Sequence, residues 1–430
     1  MCCEAGPSDA RFWDNLCTSE TSSNELCLSR ARSLLSCPTK ITVARSFQGK
    51  EAQRLIDFLD RVLERSCLGE KHWQRGLRLL SKICKSNGMI PASYILQREL
   101  IHVGRVRYYG GSADVSDGQY SGRAVAIKHL KVIGDDRAGG AFKRLCREII
   151  SWKHLSHPNI LPLLGASLSI NPPRFCILSE WMVNEDIMKY VSSNPEANRL
   201  QLLSEVMAGV AYLHDLSIVH GDLKGSNIFV DSTGTARVGD FGLMTMADLS
   251  MNPLSVTVVS CVGTTRWMSP ELFDPSLSSS NGRPTRESDC YALGMVIYEV
   301  LTGLRPFHRL HGYAPMLATL SGERPKKPPG AESLGFSREL WGLIELCWSK
   351  STSSRSTAQR LYDCISPASL SWDPPQTYPV VGTEVEDVTE TDSFGPLEMP
   401  CRAHFARRCR DWARRTTVRI IAFFTFFIGS

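Results

Sequence analysis

No run of eighteen apolar residues occurs in this sequence, which excludes an ordinary helical membrane span. The N-terminal residues Met1-Cys2-Cys3-Glu4-Ala5 lack a basic region followed by an apolar stretch, so a secretory leader is not expected. Fifteen cysteines are present, yet none forms a C-x-x-C pair, and 430 residues far exceed a small disulfide scaffold. Reduced thiols in a cytoplasmic setting are the expectation. Most of the chain also lacks an excess of charge. The net charge is +5, but residues 401–430 carry seven arginines against one aspartate, leaving the remainder near neutral. A nucleic-acid-binding domain is therefore not expected.

An apolar fraction of 43% is enough for a sizeable core, and the length suggests a large domain with appendages. Residues 1–48 are polar and Ser-rich without clear periodicity, so they are expected to be disordered or loosely packed. Over residues 49–91 the pattern turns helical. Leu55, Phe58, Leu59, Val62 and Leu63 recur at helical spacing, followed by Leu77, Leu80 and Ile83. This appendage reads as two or three amphipathic helices with a local core, dispensable for folding of the rest of the chain. From Tyr94 to Lys131 the composition favours strands, notably Val103–Tyr109 and Ala124–Leu130. A helix over Phe142–His154, two apolar runs and then a mostly helical region come next. The fold class is thus α+β, with a small β-rich lobe ahead of a larger helical one. Residues 367–400 hold six prolines among acidic residues and read as a linker, ahead of a basic and apolar tail over 401–430.

The chemistry lies in three short segments. Lys128 in Val125-Ala126-Ile127-Lys128 would be costly inside an apolar strand unless paired, although a strand-end lysine reaching solvent is the bland alternative. Twenty residues on, Glu148 lies on the expected helix, and a Lys–Glu pair there would aim the ammonium at polyphosphate oxygens. In His220-Gly221-Asp222-Leu223-Lys224-Gly225-Ser226-Asn227, Asp222 can orient or deprotonate an attacking hydroxyl. Lys224 can neutralise a transferring phosphoryl group, and Asn227 offers an amide oxygen to Mg²⁺. Asp240 of Asp240-Phe241-Gly242 supplies a second hard oxygen for the metal. The three segments in this order and spacing match the protein-kinase signature set.

On these residues the sequence resembles the protein kinase superfamily over 96–366. Within it, the chain resembles the tyrosine-kinase-like group of Ser/Thr kinases, and looks closest to the forms abundant in mushroom-forming fungi. Gly263–Glu271, Asp289–Gly294, Cys347-Trp348 and Arg355 extend the match. The resemblance implies a two-lobed fold, ATP and Mg²⁺ as cofactors, and protein Ser/Thr hydroxyls as substrate. It implies an ion pair between Glu271 and Arg355, and Asp289 bracing the backbone near His220. For the nucleotide it implies Ser179 as gatekeeper, Glu180 and Met182 presenting backbone groups to adenine, and Asp186 near the ribose. Val115 and Ala126 would roof the adenine and Phe229 would floor it, with plain core packing as the alternative role of these residues. Lys224, with Thr264 beside it, implies Ser/Thr rather than Tyr specificity.

The match departs in places. Tyr108 and Ala113 stand where G-x-G-x-x-G has its first and third glycines, while Gly110 and Gly111 remain to approach phosphate. Gly221 replaces the arginine of H-R-D, which removes one anchor for a phosphorylated loop, so Ser255, Thr257 and Ser260 are expected to matter little. Two alternatives stand beside the kinase reading. One is a pseudokinase scaffold that binds partners, supported by the altered glycine loop. The other is a small-molecule kinase, opposed by the peptide-docking segment Gly263–Glu271. The tail carries its own expectation of weak membrane-surface contact through its arginines and Phe423, Phe424, Phe426 and Phe427, against the alternative of a free or domain-packed end.

Overall fold

The computed structural model describes residues 24–64, 68–110, 113–131, 139–170, 173–243, 245–246, 264–375 and 378. All fall within the unit Met1–Val380. The tail 401–430 and most of the linker lie outside the described residues.

Four helices come first: α1 (Asn24–Ser36), α2 (Pro38–Ser46), α3 (Gly49–Leu63) and α4 (Glu70–Asn87). The first two fall where composition suggests disorder. Their apolar residues are few but correctly spaced, and Ala31, Leu34, Leu35 and Ala44 have no exposed surface. Pro38 sits in the first turn of α2, where its missing N–H costs nothing. Helix α4 ends at Gly88, which takes the left-handed conformation with φ 66°.

A five-stranded antiparallel sheet comes next, built from β1 (Ile101–Tyr109), β2 (Ala113–Tyr120), β3 (Arg123–Leu130), β4 (Leu163–Ile170) and β5 (Pro173–Glu180), in the order β1-β2-β3-β5-β4. Between β3 and β4 runs helix α5 (Gly139–Trp152). The sheet is two-sided. Val125, Ile127 and Leu178 form a small cluster of their own, while Ile177 belongs to the main core. Strand alternation therefore turns Ala126 and Lys128 away from the small cluster.

The helical lobe contains α6 (Ile187–Ser193), α7 (Arg199–Asp215), α8 (Pro270–Phe273), α9 (Arg286–Thr302), α10 (Ala314–Leu320), α11 (Arg338–Cys347) and α12 (Ala358–Ser369). Short antiparallel pairs, β6 (Ile218–Val219) with β9 (Thr245–Met246) and β7 (Ile228–Val230) with β8 (Ala236–Val238), line its upper side. Nearly every residue of α9 is buried, so its start and stop are fixed by caps: Thr285 and Ser288 form a capping box, and Gly303 ends it at φ 74°. Helix α12 continues through Pro367 to Ser369, past the expected start of the linker, because Leu361 and Ile365 are fully buried. One continuous apolar core runs from Ala31 in α1 to Ile365 in α12. The N-terminal helices are thus part of the same core as the lobes, not a separate local one. Among the described residues, no helix is long and apolar enough to cross a membrane.

Candidate active site

Sheet register places Lys128. It lies opposite Val115 on β2 and Ile177 on β5. Helix α5 brings Glu148, only 3% exposed, to within 2.6 Å of Lys128 Nζ (from Oε1), and Asp240 Oδ1 lies 2.6 Å from the same nitrogen. Burial works to lower the Lys128 pKa, but Asp240 and then Glu148 outweigh it and hold the ammonium charged. Asp240 responds in kind: burial would raise its carboxyl, yet Lys128 draws it down to about 2. Burial pushes Glu148 up, and Lys128 only partly offsets this. Asp240 itself sits at φ 56°, a strained conformation for a non-glycine residue.

The loop between β6 and β7 holds Asp222, Lys224 and Asn227. It hangs from α9: Asp289 Oδ2 accepts from the His220 amide at 2.8 Å, and Oδ1 accepts from the Gly221 amide at 2.9 Å. Gly221 has φ 82°, a conformation that glycine adopts without strain. A third support is Glu299 Oε2, which accepts from the Gly225 amide at 3.0 Å and from Trp267 Nε1 at 2.9 Å. Within the loop, Asn227 Nδ2 donates to Asp222 Oδ2 at 2.9 Å, and Lys224 Nζ lies 3.2 Å from that same oxygen. Lys224 Nζ also donates to Thr264 Oγ1 at 2.9 Å. Asp222 Oδ1 is buried and has no hydrogen-bond partner among the described residues. An unpartnered buried carboxylate oxygen is costly, and an incoming hydroxyl would satisfy it.

The donor set suits a hard divalent cation. Asn227 spends its amide nitrogen on the backbone and side chain of Asp222, which leaves its Oδ1 as the available donor atom. Asp240 adds a carboxylate held ionised by Lys128. Two protein oxygens completed by phosphate oxygens and water is the arrangement that Mg²⁺ accepts.

The expected nucleotide wall is only partly laid out as the sequence suggests. Ala126 lies opposite Ser179, and Val115 opposite Lys128, so all four share one face of the sheet. Phe229 forms an isolated bridge with Asp186, which joins the expected floor to the expected ribose position. Asp186, however, uses Oδ1 to cap α6 through the amides of Met188 and Lys189. Glu180 ends β5 opposite Val125, and the Met182 carbonyl accepts from the Glu185 amide in a tight turn. The Gly110 amide donates to Ala113 O at 3.0 Å, so it is spent within the β1–β2 turn and not turned out toward a phosphate. Gly111 and most of the loop Leu243–Val262, including Ser255, Thr257 and Ser260, lie outside the described residues.

The fold also brings here several residues that no sequence motif marks. Trp152 stands four positions after Glu148, one turn along the same face of α5, and that spacing is the available signal. Its ring packs 5.1 Å from Phe241, which packs 5.3 Å from His220. Glu299 and the pair of Tyr108 with Glu185 carry no local signal, because their partners are distant in sequence. Lower in the lobe, Arg355 grips Glu271 with both nitrogens, Nη1 to Oε1 at 2.6 Å and Nη2 to Oε2 at 2.8 Å, as the resemblance implies.

Residues 109–364 match the protein kinase domain family. A probable serine/threonine-protein kinase of Dictyostelium discoideum is 27% identical over 324 residues, covering 74% of this chain and 18% of that protein. Mitogen-activated protein kinase kinase kinase 5 of Arabidopsis thaliana is 30% identical over 264 residues, covering 59% of this chain and 34% of that protein. The serine/threonine/tyrosine-protein kinase HT1 of the same plant is 28% identical over 255 residues, covering 57% of this chain and 60% of that protein. The chain therefore spans only part of the relatives it matches.

Proposed function

Because this chain belongs to the protein kinase domain family, we propose that it transfers the γ-phosphate of ATP to Ser and Thr hydroxyls of protein substrates. The observation that carries this reading is one arrangement. Lys128 is shared by Glu148 and Asp240, while Asp222 keeps a buried oxygen that has no partner among the described residues, beside Lys224. Lys128 holds and orients the phosphates, Asp222 accepts or steers the hydroxyl proton, and Lys224 faces the charge that develops on the transferred group. Asn227 and Asp240 would hold Mg²⁺, which when bound neutralises phosphate oxygens. Thr264 on Lys224 supports Ser/Thr over Tyr substrates, and the segments Gly263–Glu271 and Asp289–Gly294 with Cys347-Trp348 and Arg355 support a place in the tyrosine-kinase-like group. None of these positions favours a pseudokinase, since Lys128, Glu148, Asp222, Asn227 and Asp240 are all present.

Radiolabel transfer from ATP to generic protein substrates, with Mg²⁺ supplied or chelated, tests the proposal. Wild type should label Ser and Thr, and Asp222→Asn should not; equal labelling by both would remove the enzyme reading. A cytoplasmic location with partial membrane recruitment through residues 401–430 is part of the same proposal, supported by the tail's arginines and phenylalanines. Flotation with anionic vesicles should lift the full chain but not one ending at Pro400, and equal partitioning would refute recruitment.

A further inference from the structure

Tyr108 occupies the end of β1 and lies opposite Val115, which in turn lies opposite Lys128. This register puts Tyr108 on the sheet face that carries Lys128. Its hydroxyl donates to Glu185 Oε1, a residue of the large lobe 77 positions away in sequence. Lys189, in the first turn of α6, donates to the same hydroxyl at 3.2 Å, sits 4.6 Å from the centre of the Tyr108 ring, and lies 3.4 Å from Glu185 Oε1. Glu185 is a rigid post for this contact. It is held at φ 57°, its amide donates to Met182 O, and its carbonyl accepts from the Val230 amide. A non-glycine residue kept in that conformation and tied at both ends signals a position over-determined by its surroundings.

The place of this contact gives it meaning. Tyr108 stands across the sheet from Val115, on the expected roof of the nucleotide cleft. Glu185 precedes Asp186, which bridges to Phe229 on the expected floor. We propose that Tyr108, Glu185 and Lys189 form an inter-lobe clasp that closes the outer edge of the cleft and retains bound nucleotide. The proposal rests on the ATP-binding reading above and names the positioning residues for that nucleotide. The Glu185 carboxyl is held below its ordinary value, first by the Tyr108 hydrogen bond and against burial, so the acceptor is charged at neutral pH. Exposed pairs contribute little singly, but a hydroxyl, a carboxylate and an ammonium sharing one geometry reinforce each other.

The test is the release of a fluorescent ADP analogue from full-length protein, which requires binding but no phosphoryl transfer. Tyr108→Phe keeps the ring under Lys189 and removes the donor; Glu185→Gln removes the charge. Each should speed ADP release about threefold to tenfold and raise the KM for ATP in proportion, without a matching loss in kcat. Salt should speed release from wild type more than from Glu185→Gln. A merely structural tether would instead lower melting temperature and kcat and leave release unchanged. Release within about twofold of wild type in both variants, from a wild type that binds nucleotide, overturns the clasp alone. A wild type that binds no nucleotide overturns both the clasp and the kinase reading. If Tyr108→Phe does not fold, Glu185→Gln and the salt series on wild type decide the matter.

Discussion

Asp60 on α3 offers a sharp test of how the N-terminal helices serve the site. It is almost fully buried, accepts from Ser93 Oγ at 2.6 Å, and lies 3.3 Å from Nε2 of His154, whose side chain has no exposed surface. The Tyr94 hydroxyl lies 3.0 Å from the same nitrogen. His154 lies just past the end of α5, the helix that carries Glu148, so this polar cluster is a direct tie between appendage and site. Asp60→Ala leaves the buried His154 imidazole and the Ser93 hydroxyl without their carboxylate. The expected loss is about 1–3 kcal/mol, the cost of leaving a buried polar group without its partner. Burial would raise the Asp60 carboxyl, but His154 and Ser93 hold it below its ordinary value. Its contribution is therefore complete above the ordinary carboxylate range and fades only as pH falls through the lowered value. Thermal melting at pH 7 should drop by several degrees, and phosphoryl transfer should fall more than the melting shift explains, because α5 loosens around Glu148. A chain beginning at Pro91 should fail to fold or lose activity. Unchanged melting and unchanged transfer in Asp60→Ala would show that the large lobe alone holds α5, and that the helices are dispensable after all.

Burial pushes the Glu299 carboxyl up to about 7, against the hydrogen bonds from Gly225 and Trp267. The folded protein then holds a proton that the unfolded chain gives up at the ordinary carboxylate value, so stability declines as pH rises between those values. Glu299→Gln should flatten that decline and be more stable at pH 8 by up to about 3 kcal/mol; parallel melting curves from pH 5 to 8 would sink the argument. Arg355→Met strands Glu271, which is 2% exposed, and should cost about 3–5 kcal/mol in urea unfolding at neutral pH. Adding Glu271→Leu should recover most of it, and no recovery would mean that the Arg355 bonds to Ser349 O and Glu287 O matter more. Alanine at Ser255, Thr257 and Ser260 together should leave transfer within about tenfold, since Gly221 offers no guanidinium; a larger loss would place the anchor on another basic residue.

Local signals carry the sheet, the helical lobe and the reacting residues. Lys128, Asp222, Asn227 and Asp240 sit in short motifs whose spacing survives folding, and the alternation in Val125–Lys128 fixes which way the lysine turns. The N-terminal helices are only partly legible, because α1 and α2 keep their few apolar residues among serines and threonines. Their burial depends on α3 and α4, which no window on residues 1–48 contains. The end of α12 is obscured for a similar reason: Pro367 looks like a breaker, but it falls in the last turn of a helix pinned by Leu361 and Ile365. Position alone suggests an open amide at Gly110; the Ala113 carbonyl that takes it is set by the turn. Glu299, Tyr108 and Glu185 are illegible because each acts on a residue dozens of positions away.

These tertiary ties divide the site into a fixed half and an adjustable half. The catalytic loop hangs from α9 through Asp289 and Glu299, and nearly every residue of that helix is buried. Nothing in that suspension calls for a phosphorylated loop, which accords with glycine at position 221. Lys128 and Glu148 instead reach the site on β3 and α5, and their approach to Asp240 depends on how those elements lie over the large lobe. Two sets of contacts restrain them from opposite sides: Asp60 with His154 behind α5, and Tyr108 with Glu185 and Lys189 at the open edge of the cleft. The two restraints should be separable. Loss of the first moves Glu148 and lowers kcat, whereas loss of the second frees nucleotide and raises KM. A double variant, Asp60→Ala with Tyr108→Phe, should therefore show both defects with free energies that add to within about 0.5 kcal/mol. Strong coupling between them would mean that α5 and β1 move as one body, and the division into two restraints would fall.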